Sequence, residues 1–149
     1  MADNASVVIQ ATVLPDDVAK TLLGNLVVEP ADAQDKWYYK LTTVPNTSQA
    51  LMAGNFTDYT AVDSATSPVA IVPATDTVKF LFVKNEDTTN DIYISLNGAT
   101  VTTATADAIK VSAGNSVAIE VPNTTVANIT AITSAGDVTC QVAAMVRDV

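Results

Sequence analysis

The sequence has no histidine, one cysteine (Cys140) and one arginine (Arg147). Each shortage removes a class of function. Without imidazole the usual general base near neutral pH is missing, and the many serines have nothing to activate them as nucleophiles. A single cysteine excludes an intrachain disulfide. Together with the absence of histidine it excludes zinc sites built from several Cys and His ligands. Lys and Arg total 7 against 16 Asp and Glu, for a net charge of −9. No basic stripe is present to neutralise phosphates, so neither nucleic acid nor an anionic membrane surface is an expected partner. No apolar run approaches the roughly 20 residues of a membrane-spanning helix. The opening Met1–Ala5 has no basic stretch ahead of an apolar one, so no secretory signal is expected and synthesis in a cytoplasm is. Glycine is equally sparse. Gly24, Gly54, Gly98, Gly114 and Gly136 stand singly as turn residues, forming neither a phosphate loop nor a dinucleotide fingerprint.

The chain is instead rich in apolar and small polar residues. Of 149 residues, 48% are hydrophobic and 15% charged. That charged share is well below the roughly 25% of an ordinary soluble domain. Thr, Ser, Asn and Ala must cover the surface. A surface of this kind sheds little hydration free energy on meeting another protein, so it suits packing in an assembly. The length fits one domain, or one domain with a small companion piece.

The dominant period is two, the signature of strands with alternating faces. Val7, Ile9, Ala11 and Val13 share a face in a strand ended by Pro15. Asp16 is placed to cap a short helix from Asp17 to Leu23, closed by Gly24, before Leu26-Val27-Val28 resumes as strand. Trp37 to Val44 is the most aromatic strand. A single helical turn is predicted from Ser48 to Met52, and Gly54 to Ser67 reads as loop. In the second half, Val69–Val72 is a short strand and Val78–Lys84, apolar on both faces, a central one. Ile92, Ile94 and Leu96 alternate up to Asn97-Gly98, a strong hairpin signal because type I′ turns need positive φ at both central residues. Ile109 and Val111 follow, then Val117, Ile119 and Val121 up to Pro122-Asn123. Val126 to Thr133 reads as a strand with a bulge between Ile129 and Ile132, and Val138 to Val146 as the last strand.

Short strands separated by turns every eight to twelve residues indicate a sandwich or barrel. The expected fold is all-β: a jelly-roll-like antiparallel β-sandwich over residues 67–149, with an additional N-terminal β-rich segment over residues 1–66.

Few residues are candidates for chemistry. Cys140 shares the inward parity of Val138 and Val142, and a thiol in apolar surroundings is inert. Asp16-Asp17 suits a helix start. The acidic turn Glu86 to Asp91 could offer oxygens to Ca²⁺, but it lacks the EF-hand spacing and glycine, and local Asx bonding explains it as well. No catalytic residue, cofactor or metal is expected. Trp37-Tyr38-Tyr39 is expected to divide by parity between core and protein interface, a sugar-stacking platform being the alternative. The expected interface residues are Ala2, Asp3, Asn4, Val7 and Ile9 in the N-terminal arm, Trp37, Tyr38 and Tyr39, and Leu51, Met52, Phe56 and Tyr59. The arm is singled out because the strand Val7 to Val13 has no hairpin partner before it, so its edge is open to another chain.

Three stretches carry a resemblance: Phe80-Leu81-Phe82-Val83-Lys84-Asn85, then Asp91-Ile92-Tyr93-Ile94-Ser95-Leu96-Asn97-Gly98, then Ile109-Lys110-Val111-Ser112-Ala113-Gly114-Asn115-Ser116. An apolar strand ending in Lys-Asn, an Ile-Tyr-Ile-Ser strand and an Ala-Gly-Asn-Ser turn together resemble small accessory proteins of tailed-phage particles, over roughly the second half of the chain. The resemblance implies a β-sandwich or jelly roll and a capsid decoration (cement) role on the outside of a virion. The implied partners are the major capsid protein and further copies of this chain, most simply as a homotrimer. A head–tail or fibre-base adaptor, or a carbohydrate-binding module of a host-recognition structure, are the other expectations.

Overall fold

Alternation along the chain becomes strand pairing almost throughout. The computed structural model describes residues 4–13, 20–52, 54–58 and 69–148, and the chain divides into two units, Met1–Ala31 and Asp32–Val149.

The first unit is an antiparallel ribbon of β1 (Ala5–Val13) and β2 (Lys20–Val28), in register from Ala5 opposite Val28 to Val13 opposite Lys20. One face carries Ala5, Val7, Ile9 and Ala11 beside Leu22, Gly24, Leu26 and Val28. The other carries Ser6, Val8 and Gln10 beside Thr21, Leu23, Asn25 and Val27. The helix expected over Asp17–Leu23 is corrected here. Residues from Lys20 onward are strand, and Gly24 sits opposite Ile9 in mid-strand instead of closing a helix. A cap and a stop signal are local preferences worth about 1 kcal/mol each, and an unbroken set of cross-strand partners outweighs them. The expected helix start, Asp16 and Asp17, lies outside the described residues.

The second unit is an antiparallel β-sandwich. Its strands are β3 (Asp35–Val44), β4 (Gln49–Ala50), β5 (Asn55–Asp58), β6 (Val69–Ile71), β7 (Thr77–Asn85), β8 (Ile92–Ser95), β9 (Ile109–Val111), β10 (Ser116–Thr125), β11 (Thr130–Thr133) and β12 (Val138–Arg147). The larger sheet runs β10-β7-β12-β3-β5-β6 and the smaller β4-β11-β8-β9. Their inner faces form one core. Tyr38, Val44, Phe56, Leu81, Val83, Val142 and Ala144 come from the large sheet, and Ile92, Ile94 and Ala131 from the small one. Each fully buried aliphatic side chain of this kind contributes about 1.5–3 kcal/mol. β7 is central as expected, between β10 and β12.

The expected division at residue 66 is replaced by one at residue 31. β3 pairs with β12 along ten residues, from Asp35 opposite Arg147 to Val44 opposite Val138, so the aromatic strand is part of the sandwich. Such pairing joins residues about a hundred positions apart, which local patterns do not reveal.

Five local expectations also change. Gln49–Ala50 is a short strand where a helical turn was predicted. Asn55–Asp58 is a strand inside the stretch read as loop, while residues 59–68 lie outside the described residues. Val126–Asn128 is a 3₁₀ turn ahead of β11, and this turn produces the phase slip read as a bulge. β10 continues past Pro122 to Thr125 through a register shift between Glu120 and Thr124. Asn97-Gly98 ends β8 but does not close a two-residue hairpin, because β8 pairs with β9 across a longer connection. Gly98 has φ of 76°, and its amide donates to the Asn128 carbonyl at 2.9 Å.

Candidate interaction surfaces

The groups nearest to chemistry are tied up within the fold. Cys140 is fully buried, and burial pushes its thiol up to about 11, against an opposing pull from Lys40. Burial pushes Lys40 down; its ammonium lies 5.0 Å from the centre of the Phe56 ring. In the acidic turn, one carboxylate oxygen of Asp87 accepts from the amides of Thr89 at 2.6 Å and Asn90 at 2.7 Å. Those bonds hold the Asp87 carboxyl below its ordinary value. Glu86 pairs with Lys84 at 2.9 Å and accepts from the Gln141 amide, and both contacts lower its pKa, Lys84 the more. Asp91 pairs with Lys110 at 2.7 Å and accepts from the Ala113 amide at 3.1 Å, which lower it in that order. Among the described residues, no group of three or more Cys, Asp or Glu is placed to hold a metal ion.

The expected interface residues separate into three sets. Ala2, Asp3 and Tyr59 lie outside the described residues. Leu51, Met52 and Phe56 are buried in the sandwich core at 1–2% exposure, and Tyr38 joins them, edge-on to Phe56 with ring centres 6.2 Å apart. These four are corrected from interface to core. Their period-two position on inward faces decides it, and Tyr38 takes the buried parity of its strand. The remaining five are Asn4, Val7, Ile9, Trp37 and Tyr39. Asn4 donates to Glu29 at 2.8 Å beside the ribbon.

Trp37 and Tyr39 lie on the outer face of the large sheet. In register with them stand Met145 and Phe80 in one row, and Ala143 and Phe82 in the next. Trp37 packs edge-on against Phe80 at 5.8 Å. Phe80 and Met145 are buried yet stand apart from the core between the sheets. The following row places Gln141 between Leu41 and Lys84, and Leu41 is 61% exposed. At the end of this face Asp35, with its side chain fully buried, meets Lys79 at 2.6 Å and Arg147 at 3.5 Å, and Arg147 also reaches Asp32 at 2.9 Å. This cluster ties the ends of β3, β7 and β12 together.

The ribbon is the more exposed surface. Six large hydrophobic side chains stand out in solvent among the described residues, and five belong to it: Val8, Ile9, Leu22, Leu23 and Val27. Val8 at 78% and Leu23 at 76% lie on one face, Ile9 and Leu22 on the other. A ribbon that is apolar on both faces is suited to lie between two surfaces. Leu22, Leu23 and Val27 were missed because they were read as helix and strand interior. The signal that finds them is Pro15-Asp16-Asp17 between two apolar runs, which is also a loop signal.

Comparison with family models, with curated proteins and with solved structures finds no match.

Proposed function

We propose that the chain is a non-catalytic structural subunit of a tailed-phage particle, decorating the outside of the capsid and bridging major capsid protein subunits. The observation that carries this reading is the β1–β2 ribbon. A two-stranded ribbon alone is marginal in water, and this one holds five of the six exposed large hydrophobic side chains among the described residues. Such a segment is maintained when a partner covers it. The low-charge surface and the resemblance over residues 80–116 support a capsid as the place of that partner.

The mechanism is burial of contact area multiplied by symmetry. Each contact is small, but a subunit that grips several neighbours gains through effective concentration. The net charge of −9 keeps free subunits apart before assembly. Mass spectrometry and quantitative gel analysis of purified particles test the reading. The chain is expected in intact particles at a fixed, high ratio to the capsid protein. A few copies per particle point to the adaptor role, and complete absence from particles overturns both.

A further inference from the structure

We infer that β1 pairs edge to edge with β1 of a second copy, antiparallel about a two-fold axis centred on Ile9. This names one partner within the assembly reading above and rests on it. The edges of the other sheets are guarded. In the large sheet, β6 is three residues long and β10 carries Glu120, Pro122 and a register shift. In the small sheet, β4 has two residues and β9 has three, one of them Lys110. Short strands, charge, proline and irregularity are the devices that stop an edge from pairing with another chain. β1 has none of them. Its nine residues, ASVVIQATV, are unbroken and uncharged, and among the described residues it pairs on one side only, with β2. The outer edge of β2 is less suited, with Lys20 in its sequence and Gly24 at its centre.

A second copy fits this edge for two reasons. The chain carries a net charge of −9, and a strand without charge is where two copies meet without repulsion. The strand also complements itself. Centring on Ile9 pairs all nine residues and sets Val7 opposite Ala11 of the second copy. Positions of equal parity then face each other, so the face bearing Val7, Ile9 and Ala11 continues across four strands. On that face Ile9 and Leu22 of each copy are exposed, while Val28 is buried. The edge contact alone falls below the ~1,000 Å² of a stable interface, so pairing is weak in dilute solution and strengthens on a particle. The contact is two-fold, where the resemblance implies a homotrimer.

Cysteine trapping in the full-length chain tests this. Directly opposed residues have Cβ atoms about 4.5–5.5 Å apart, close to disulfide reach, and diagonal neighbours do not. Ile9→Cys is therefore expected to give disulfide-linked dimer at least about tenfold faster than Asn25→Cys under mild oxidation. Val7→Cys and Ala11→Cys are expected to crosslink when mixed and not when oxidised separately. The unmodified chain, with only buried Cys140, is the control. Equal rates at positions 9 and 25, or no dimer at position 9, overturn the inference. Trapping at position 9 by a chain absent from particles would leave the pairing standing and remove the capsid reading. A chain abundant in particles that does not trap at position 9 would do the reverse.

Discussion

Gly98 has φ of +76°, and a Cβ added there would meet Asn128 Oδ1 at 2.6 Å. Gly114 has a similar φ of +71° with nothing within 4 Å of an added Cβ. The left-handed conformation strains either alanine by about 1–2 kcal/mol, and only Gly98→Ala adds a collision. Urea unfolding is expected to show the greater loss of stability for Gly98→Ala. Equal losses would mean that the Asn128 side chain yields freely. Cys140 gives a second residue-scale prediction. Burial raises the thiol from 9.0 to about 11, so the folded chain holds that proton more tightly than the unfolded one. Its contribution to stability is fully present below pH 9 and declines as pH rises toward 11; Cys140→Ala should flatten that part of the urea-midpoint profile. Thiol reagents are expected to label Cys140 only on unfolding. The burial of Cys140 was legible from its parity. That of Asn85 was not, since the central strand read from the sequence stops at Lys84. It ends β7 fully buried, and its amide donates to the carbonyls of Asn90 at 2.8 Å and Val111 at 3.2 Å. The Val111 partner lies 26 residues away.

At the scale of elements, the alternating strands were legible wherever one face is core, as in β8, β10 and β12. Residues near strand ends were not, because partners distant in sequence decide whether a stretch such as Gln49–Ala50 pairs or turns. The same holds for β2, whose cap signals suggested a helix until nine cross-strand partners are counted. The acidic turn makes an element-scale prediction. Asp87 and Asp91 are held below their ordinary values by hydrogen bonds, led by the Asn90 amide for Asp87 and by Lys110 for Asp91. A depressed folded pKa gives stability that is present above the unfolded value of about 3.9 and lost as pH falls through the folded one. Urea midpoints are expected to drop in that acid range, and less steeply in Asp87→Asn and Asp91→Asn. An unchanged slope would show that the turn contributes nothing there.

For the molecule as a whole, the sandwich of Asp32–Val149 has its own core, and none of its core residues comes from the ribbon. A chain starting at Pro30 is therefore expected to fold, with a β-type circular dichroism spectrum and a cooperative urea transition. Failure to fold would make the ribbon part of the stable unit. The all-β class was legible because period two runs through most of the chain. The division at residue 31 was not, because it depends on β3 joining β12 across the sequence.

The most direct test of the central claim, that this chain acts through contacts made by its ribbon on a capsid, is a binding measurement with intact particles stripped of the protein. Full-length chain and the chain starting at Pro30 would be added separately, and the bound ratio to capsid protein determined after sedimentation. The account predicts saturable binding of the full-length chain and little or none by the folded, truncated one. Full occupancy by the truncated chain, or no binding by either, would contradict it.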